Sequence, residues 1–411
     1  MTEKNKILFY SREGNAQAGF EVRTLDIISE IEAPRDKSRG SSVRSEASQL
    51  DLWPSPAASN GECGQRIKEH FQCLAVSFSA FNKSRQNTIS FWNKIIFNIK
   101  AFISFLKFKP DILVLQRVNY HTPAALLYFL LYRPGLILDI DDWEFRENIK
   151  KYPFGFSSSI TENLTRFICK SADYVIVSSE FLMEYFKPYS KKIEKIPSGI
   201  SGKNFYAGKK ITTPRRIVWC GSLDAGRYET FEELRRFIEA FIESCSKELE
   251  LYLIARGDLI SELENLVKNV SRIRIFENIK REEVQAILKE CNIGIYPVFR
   301  DTYFFKSKSP VKIFEYMKAG LIPVVSDIGE SKYIIENEIN GYVAGSLQDM
   351  VETINKLSKM DGLKLSTIVK NSQKTFLSEY SAKTCAIKWI NILNSCLMTT
   401  AVNEEHKVFK I

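Results

Sequence analysis

Short runs of β-branched and aliphatic residues recur along the chain, each followed by a stretch whose apolar positions return every three or four residues. The first series comprises Lys6–Tyr10, Leu74–Phe78, Asp111–Gln116, Leu136–Asp141, Tyr174–Ser179 and Ile193–Pro197. The second comprises Arg216–Ser222, Leu249–Arg256, Arg272–Ile279, Ile293–Val298, Ile322–Asp327 and Gly341–Ala344. Continuous apolar strands that alternate with helices predict parallel sheets covered on both faces. Two series predict two doubly wound domains, residues 1–198 and 215–377, with a hinge over 199–214 that is rich in Gly, Ser, Lys and Thr. A helix over 378–397 follows and is expected to pack back toward the first domain, leaving 398–411 as a tail. Residues 34–66 are polar and Ser-rich and predict a loop or disordered insertion. Doubly wound sheets bind ligands at the carboxyl ends of their strands, so the two domains are expected to face each other across a ligand cleft.

Composition narrows the class. With 411 residues, 45% hydrophobic and 26% charged, the chain suits two domains and is neither disordered nor membrane-embedded. The longest apolar stretch, Ala124–Tyr132, is about half of what a spanning helix requires. Met1–Lys6 is polar and leads straight into Ile7–Tyr10 with no secretory leader pattern. Eight scattered cysteines without a CxxC pair predict buried free thiols in a reducing compartment, hence a cytoplasmic protein. The net charge of +9 favours acidic partners such as phosphorylated sugars or anionic lipid.

The densest chemistry lies in Ser307–Gly329. Ser309 is a good N-cap, Pro310 fits the first helical position and Gly320 lies just past the end, which predicts a helix over Pro310–Ala319. Lys312, Glu315 and Tyr316 share one of its faces. A lysine and a carboxylate are thereby presented beside an anion-attracting helix start. Taken alone, Lys312 and Glu315 also read as a solvated ion pair contributing only about 0.2–0.5 kcal/mol.

The stretch KSPVKIFEYMKAGLIPVV, Lys308–Val325, resembles the K-S-P-x-K-x-x-E-Y-M-x-x-G-x-P-V-V branch of the family-4 glycosyltransferases. Other stretches match in order: Ile217–Ser222 ending W-C-G-S, Tyr174–Ser179, Lys195–Ile200, and Glu336–Tyr342 as E-x-x-x-N-G-Y. The resemblance covers nearly all of the second domain and parts of the first. It implies a GT-B fold of two Rossmann-like domains and a retaining, metal-independent transfer of sugar from a nucleotide-diphosphate donor, with no cofactor. The acceptor it implies is a glycan or a lipid-linked sugar, in surface polysaccharide or glycolipid synthesis. Glu315 would accept hydrogen bonds from the ribose hydroxyls, and Lys312 and Lys308 would lie by the diphosphate. Arg227 would be a further phosphate ligand, and Ser307, Asn278 and Gly329 complete the donor set. Two departures stand out: Ser222 replaces a cation, and Ser307 replaces a carboxylate. In the first domain Gly14 and Gly19 would form the phosphate or acceptor loop. Asp141 would take the place of a histidine that touches the donor sugar, and His121 would reach the cleft.

Some readings stay open. DIDDWE, Asp139–Glu144, also reads as a paired-carboxylate metal site of a single-sheet transferase. A sugar-nucleotide epimerase, or a non-catalytic two-lobed binding protein, would share the sheets. His70–Pro110 contains no acid and six basic residues from Lys83 to Lys109. On a helix over 91–108, Trp92, Ile95, Ile96, Ile99, Phe102, Ile103 and Leu106 form the face suited to the core, while Phe97, Phe105 and Phe108 project among lysines. That pattern suits either contact with an anionic membrane on its inner face or a helix covered by its own domain; nucleic-acid binding lacks any accompanying motif.

Overall fold

The computed structural model describes residues 5–11, 23–24, 26–32, 71–77, 91–143, 145, 158–203, 205 and 215–408. Among these, twelve strands form two six-stranded, wholly parallel sheets. The first contains β1 (Asn5–Ser11), β2 (Phe71–Ser77), β3 (Ile112–Gln116), β4 (Gly135–Ile140), β5 (Tyr174–Val177) and β6 (Ile193–Lys195), in the order β2-β1-β3-β4-β5-β6. The second contains β7 (Arg216–Ser222), β8 (Glu250–Arg256), β9 (Ile273–Glu277), β10 (Ile293–Tyr296), β11 (Ile322–Ser326) and β12 (Tyr342–Ala344), in the order β12-β11-β10-β7-β8-β9. All twelve strands occupy the apolar runs identified in the sequence. The chain divides by its contacts into one unit of Met1–Ser201 with Ala382–Ile411, and another of Gly202–Ser381.

In the first unit alternate strand residues serve opposite faces of the sheet, as the two-residue period requires. Leu8, Tyr10, Leu113, Leu115, Leu136 and Leu138 pack toward the Phe91–Phe108 and Thr122–Tyr132 helices. Ile7, Phe9, Ile112, Val114 and Ile137 pack toward the C-terminal helix Ala382–Val408. Trp389 of that helix meets Phe9 edge-on at 5.7 Å. Gly199 admits the helix closely, since a Cβ there would stand 2.6 Å from Cys385 Sγ. The helix starts at Ala382, later than the sequence pattern suggests, because a π turn over Phe376–Tyr380 precedes it.

The face of the Phe91–Phe108 helix is the reverse of the expected one. Phe97, Ala101, Phe105 and Phe108 are buried, and Trp92, Ile96, Ile99 and Ile103 are exposed. Tyr10 decides the matter: its ring stacks on Phe97 at 5.7 Å and meets Phe105 edge-on at 5.0 Å, and the small Ala101 lets the helix approach the sheet. The seven described cysteines are buried and unbridged, and burial pushes the thiols of Cys169, Cys220, Cys245 and Cys396 up to about 12. Among the described residues no helix is long and apolar enough to cross a membrane.

Candidate functional site

The strand order of the second unit reverses between β7 and β10, and the crevice at such a point is where doubly wound sheets bind ligands. β7 and β10 pair only through Ile217–Ile293 and Val218–Gly294, and beyond that they part. Tyr316 fills the gap. Its hydroxyl accepts a hydrogen bond from Cys220 N at 3.1 Å and donates one to Ile295 O at 3.3 Å, so it bridges the two strands where their ladder stops. Gly294 makes this possible, since a Cβ there would lie 2.3 Å from the Tyr316 ring.

Tyr316 thereby fixes the helix that carries it. The helix spans Val311–Ala319 with Pro310 as N-cap, one residue later than the sequence suggests, and Gly320 ends it in the left-handed conformation at φ 73°. One turn before Tyr316, the Lys312 ammonium lies over the Trp219 ring, 4.5 Å from its centroid. It occupies the space above Gly221: a Cβ at that glycine would stand 2.2 Å from Lys312 Nζ. Glu315 Oε2 lies 3.9 Å from Cys220 Sγ. Among the described residues Lys312 and Glu315 form no ion pair with each other or with any other side chain. Burial lowers the Lys312 pKa against the pull of Cys220 and Glu315, with nearby Arg256 adding to the lowering. Burial likewise raises that of Glu315, against the pull of Arg281, Lys312 and Lys318.

A cavity of about 180 Å³ opens beside this pair, with Trp219, Tyr296, Phe305, Lys308 and Lys312 in its wall. Just after the cavity-lining Pro297 and Val298, the backbone is held by Glu233, a buried carboxylate that accepts hydrogen bonds from Phe299 N at 2.5 Å and Arg300 N at 3.1 Å. Lys308 Nζ stands 3.8 Å above the Phe304 ring. Gly329, at φ 63°, abuts this segment, and a Cβ would press to 2.7 Å of Phe305 O. Its place is therefore one of support beneath the loop. Ser307 is fully buried with its hydroxyl on Phe304 O at 3.1 Å.

Other candidates lie apart. Asn278 is exposed at the end of the edge strand β9, its amide turned back to Glu277 at 2.7 Å. Arg227 closes the Ala225–Arg227 turn after β7, and its side chain lies outside the described residues. Gly14 and Gly19 lie outside them too. In the first unit His121 is fully buried, Nε2 at 3.1 Å from Gln116 O, with Tyr10 and Tyr120 packed edge-on against its ring. Asp141 is held bidentately by Arg117 at 2.5 and 2.9 Å; burial works to raise its pKa, but the guanidinium holds it down at about 2. Asp139 is likewise bound by Arg23 and Gln116. Asp139 and Asp141 of the DIDDWE run are thus paired with guanidinium groups of their own unit, and among the described residues no three His, Cys, Asp or Glu cluster as metal ligands.

One residue went unseen in the sequence. Arg256, at the end of β8, is in register with Ser222 and donates to its hydroxyl at 2.8 Å. It sets a second cation near Lys312. A basic residue closing an otherwise apolar core strand is the only signal of it in the sequence, and the register that brings it to Ser222 is visible only in the sheet.

The match to known proteins falls on this same unit. Residues 214–360 fit the family model described as Glycosyl transferases group 1. Over these residues the second unit is similar to the group 1 glycosyltransferases. No curated protein matches the chain. Solved structures agree with it in fold at low identity. The chain covers 95%, at 14% identity and a TM-score of 0.63, when laid on all of HepE of Anabaena in complex with UDP and glucose. Against all of the sucrose-phosphate synthase of Thermosynechococcus elongatus it covers 96%, at 12% identity and a TM-score of 0.68. Against 60% of the pneumococcal O-GlcNAc transferase GtfA, in complex with UDP and GlcNAc, it covers 73%, at 18% identity and a TM-score of 0.54. The group 1 match therefore sits in a chain of GT-B fold, and it spans β7 to β12 with the Lys312 helix inside it.

Proposed function

We propose that the protein is a retaining, metal-independent glycosyltransferase of family 4 that moves a sugar from a nucleotide-diphosphate donor to a glycan or lipid-linked acceptor, in the building of a surface polysaccharide or glycolipid. The observation that carries this reading is the pair Lys312 and Glu315, held at the β7–β10 switch point with no ion pair between them. A carboxylate there takes the ribose hydroxyls, being an acceptor only. An ammonium there meets the diphosphate, Lys308 and Arg256 add to the positive field around it, and Arg227 is assigned as a further phosphate ligand. As the glycosidic bond breaks, charge grows on the diphosphate, and cations fixed in advance stabilise it without reorganising. The UDP complexes of HepE and GtfA support a uridine nucleotide as the first to test. Asp141 is the group assigned to the donor sugar in the first unit, and Asn278, Ser307, Gly329, Gly14, Gly19 and His121 remain in the proposed binding set, Ser307 and Gly329 as supports of the loop.

A thermal-shift panel of UDP, GDP and ADP tests the reading. A true ligand at about 100 times its Kd adds roughly 2.7 kcal/mol to stability. UDP or GDP should raise the melting temperature, EDTA should leave the shift intact, and Glu315→Ala should reduce it. No response to any nucleotide would remove the basis of the proposal.

A further inference from the structure

The exposed side of the Phe91–Phe108 helix does not stand alone. Trp92, Ile96, Ile99 and Ile103 are 69, 47, 55 and 44% exposed. The Thr122–Tyr132 helix beside it exposes Leu127, Leu130, Leu131 and Tyr132 by 48, 57, 60 and 56%. The two helices are locked together: the Asn98 side chain accepts from Ala124 N at 3.0 Å and donates to Tyr120 O at 2.8 Å, and Phe102 meets Tyr128 edge-on at 6.2 Å. Their outer sides therefore make one apolar field, larger than the scattered hydrophobics of an ordinary surface.

Charge identifies what covers it. Neither helix contains an acidic residue, and Lys100, Lys107 and Arg133 are exposed on them. Asp111, between the helices, is turned to Lys6 N at 2.7 Å. A surface that combines large aliphatic and indole groups with cations and excludes anions is matched to the boundary between anionic headgroups and acyl chains. We infer that this two-helix face docks the protein on an anionic lipid surface, Trp92, Ile99 and Ile103 entering the acyl boundary and Lys100 and Lys107 meeting the headgroups. The inner side, with Phe97 and Phe105, is committed to the sheet and takes no part. This inference does not depend on the donor site.

Co-sedimentation of the full chain with vesicles tests it, without nucleotide. The wild type should pellet with phosphatidylglycerol–phosphatidylcholine vesicles, and at least about tenfold less with phosphatidylcholine alone or in high salt, where surface attraction is screened. Ile99→Glu with Ile103→Glu should lower binding by about tenfold or more, and Lys100→Glu with Lys107→Glu severalfold. Leu130→Glu with Leu131→Glu repeats the test on the neighbouring helix, should the first pair fail to fold. Melting temperature and any nucleotide-induced shift should stay at wild-type values in each folded variant, so a failed donor reading leaves this test standing. Absent pelleting, equal pelleting with neutral vesicles, or unchanged binding of both hydrophobic pairs overturns the inference. So does a dimer that Ile99→Glu with Ile103→Glu splits, which would assign the face to a second copy.

Discussion

The two sheets present charge at the carboxyl ends of their strands in opposite ways. In the first unit Asp139 and Asp141 end β4, and each is gripped by a guanidinium of that unit, Arg23 and Arg117. In the second unit Lys312 stands over Gly221, Arg256 rests on the neutral Ser222 hydroxyl, and Glu315 touches only a thiol. The first arrangement is paired within the unit. The second holds Lys312, Arg256 and Glu315 near one another without an ion pair between Lys312 and Glu315. On the proposed function, the first set of charges serves folding and the second serves binding.

Substitutions that sort stability from activity should separate the two sets, and the largest effect is expected in the first. Arg23 and Asp139 are 2 and 1% exposed, and the guanidinium also donates to Ile196 O at 2.8 Å. Arg23→Met strands a buried carboxylate and should cost about 3–5 kcal/mol, read as a lowered urea midpoint. Lys312→Met should leave that midpoint unchanged or slightly higher, because burial disfavours its charge more than Cys220 and Glu315 favour it. It should instead lower kcat/KM by about 10²–10³-fold, the scale of losing one group that stabilises developing negative charge. Comparable loss of stability in both variants would erase the distinction. Gly221→Ala tests the same site without removing a charge: its methyl must displace the ammonium and press on the buried Trp219 ring at 2.7 Å, so a loss of about tenfold or more in kcat/KM is expected together with a lowered urea midpoint.

The sequence was informative wherever a local rule governs the outcome. Parallel strands buried on both faces are apolar throughout, so ILVLQ and GLILDI declare themselves. The helix holding Lys312 is bounded by Pro310 and Gly320, and its boundaries moved by only one residue. What failed depends on neighbours. The Phe91–Phe108 helix is apolar on nearly every side, and the side with more aliphatic residues looked like the core side. The sheet instead takes the stripe Phe97, Ala101, Phe105 and Phe108, since Tyr10 offers an aromatic partner and the alanine permits close approach. Lys94 is buried there too, and its ammonium lies over the Tyr120 ring at 5.2 Å. Position 307 shows the same limit: a family carboxylate is absent, and only the structure shows the serine enclosed and bonded to Phe304 O.

Acidity offers a finer cut through the comparison. The kcat/KM profile reports the free protein's groups. Glu315, whose pKa burial raises, gains its proton at a higher pH than an ordinary carboxyl, and on the proposed function then loses its capacity to accept both ribose hydroxyls. Lys312, lowered from 10.5, gives up its proton at a lower pH than an ordinary lysine, and then loses its hold on the diphosphate. Both limbs of the profile should therefore move inward. Asp141, held at about 2, stays charged throughout that range. Glu315→Gln should weaken nucleotide binding by about tenfold and abolish the acid limb. An acid limb that survives the substitution would assign it elsewhere.

The smallest effect should come from the hydroxyl that steadies Arg256. Ser222→Ala removes the 2.8 Å hydrogen bond and leaves the guanidinium on an exposed strand end, free to adopt more rotamers. Such a loss of preorganisation should raise the Kd for nucleoside diphosphate by only about two- to fivefold, since the charge is still within reach. Arg256→Met should do more, and in a particular way. It deletes a cation that works against Lys312, so the basic limb of the pH profile should shift upward while the affinity falls. A structural role for Arg256 would produce neither change, because Ser222 is its hydrogen-bond partner and the strand is already secured through β7 and β9. Affinity for the nucleoside without phosphates should be untouched by both variants, which makes the ratio of the two affinities the measure of how far the second unit's unbalanced charge is reserved for the diphosphate.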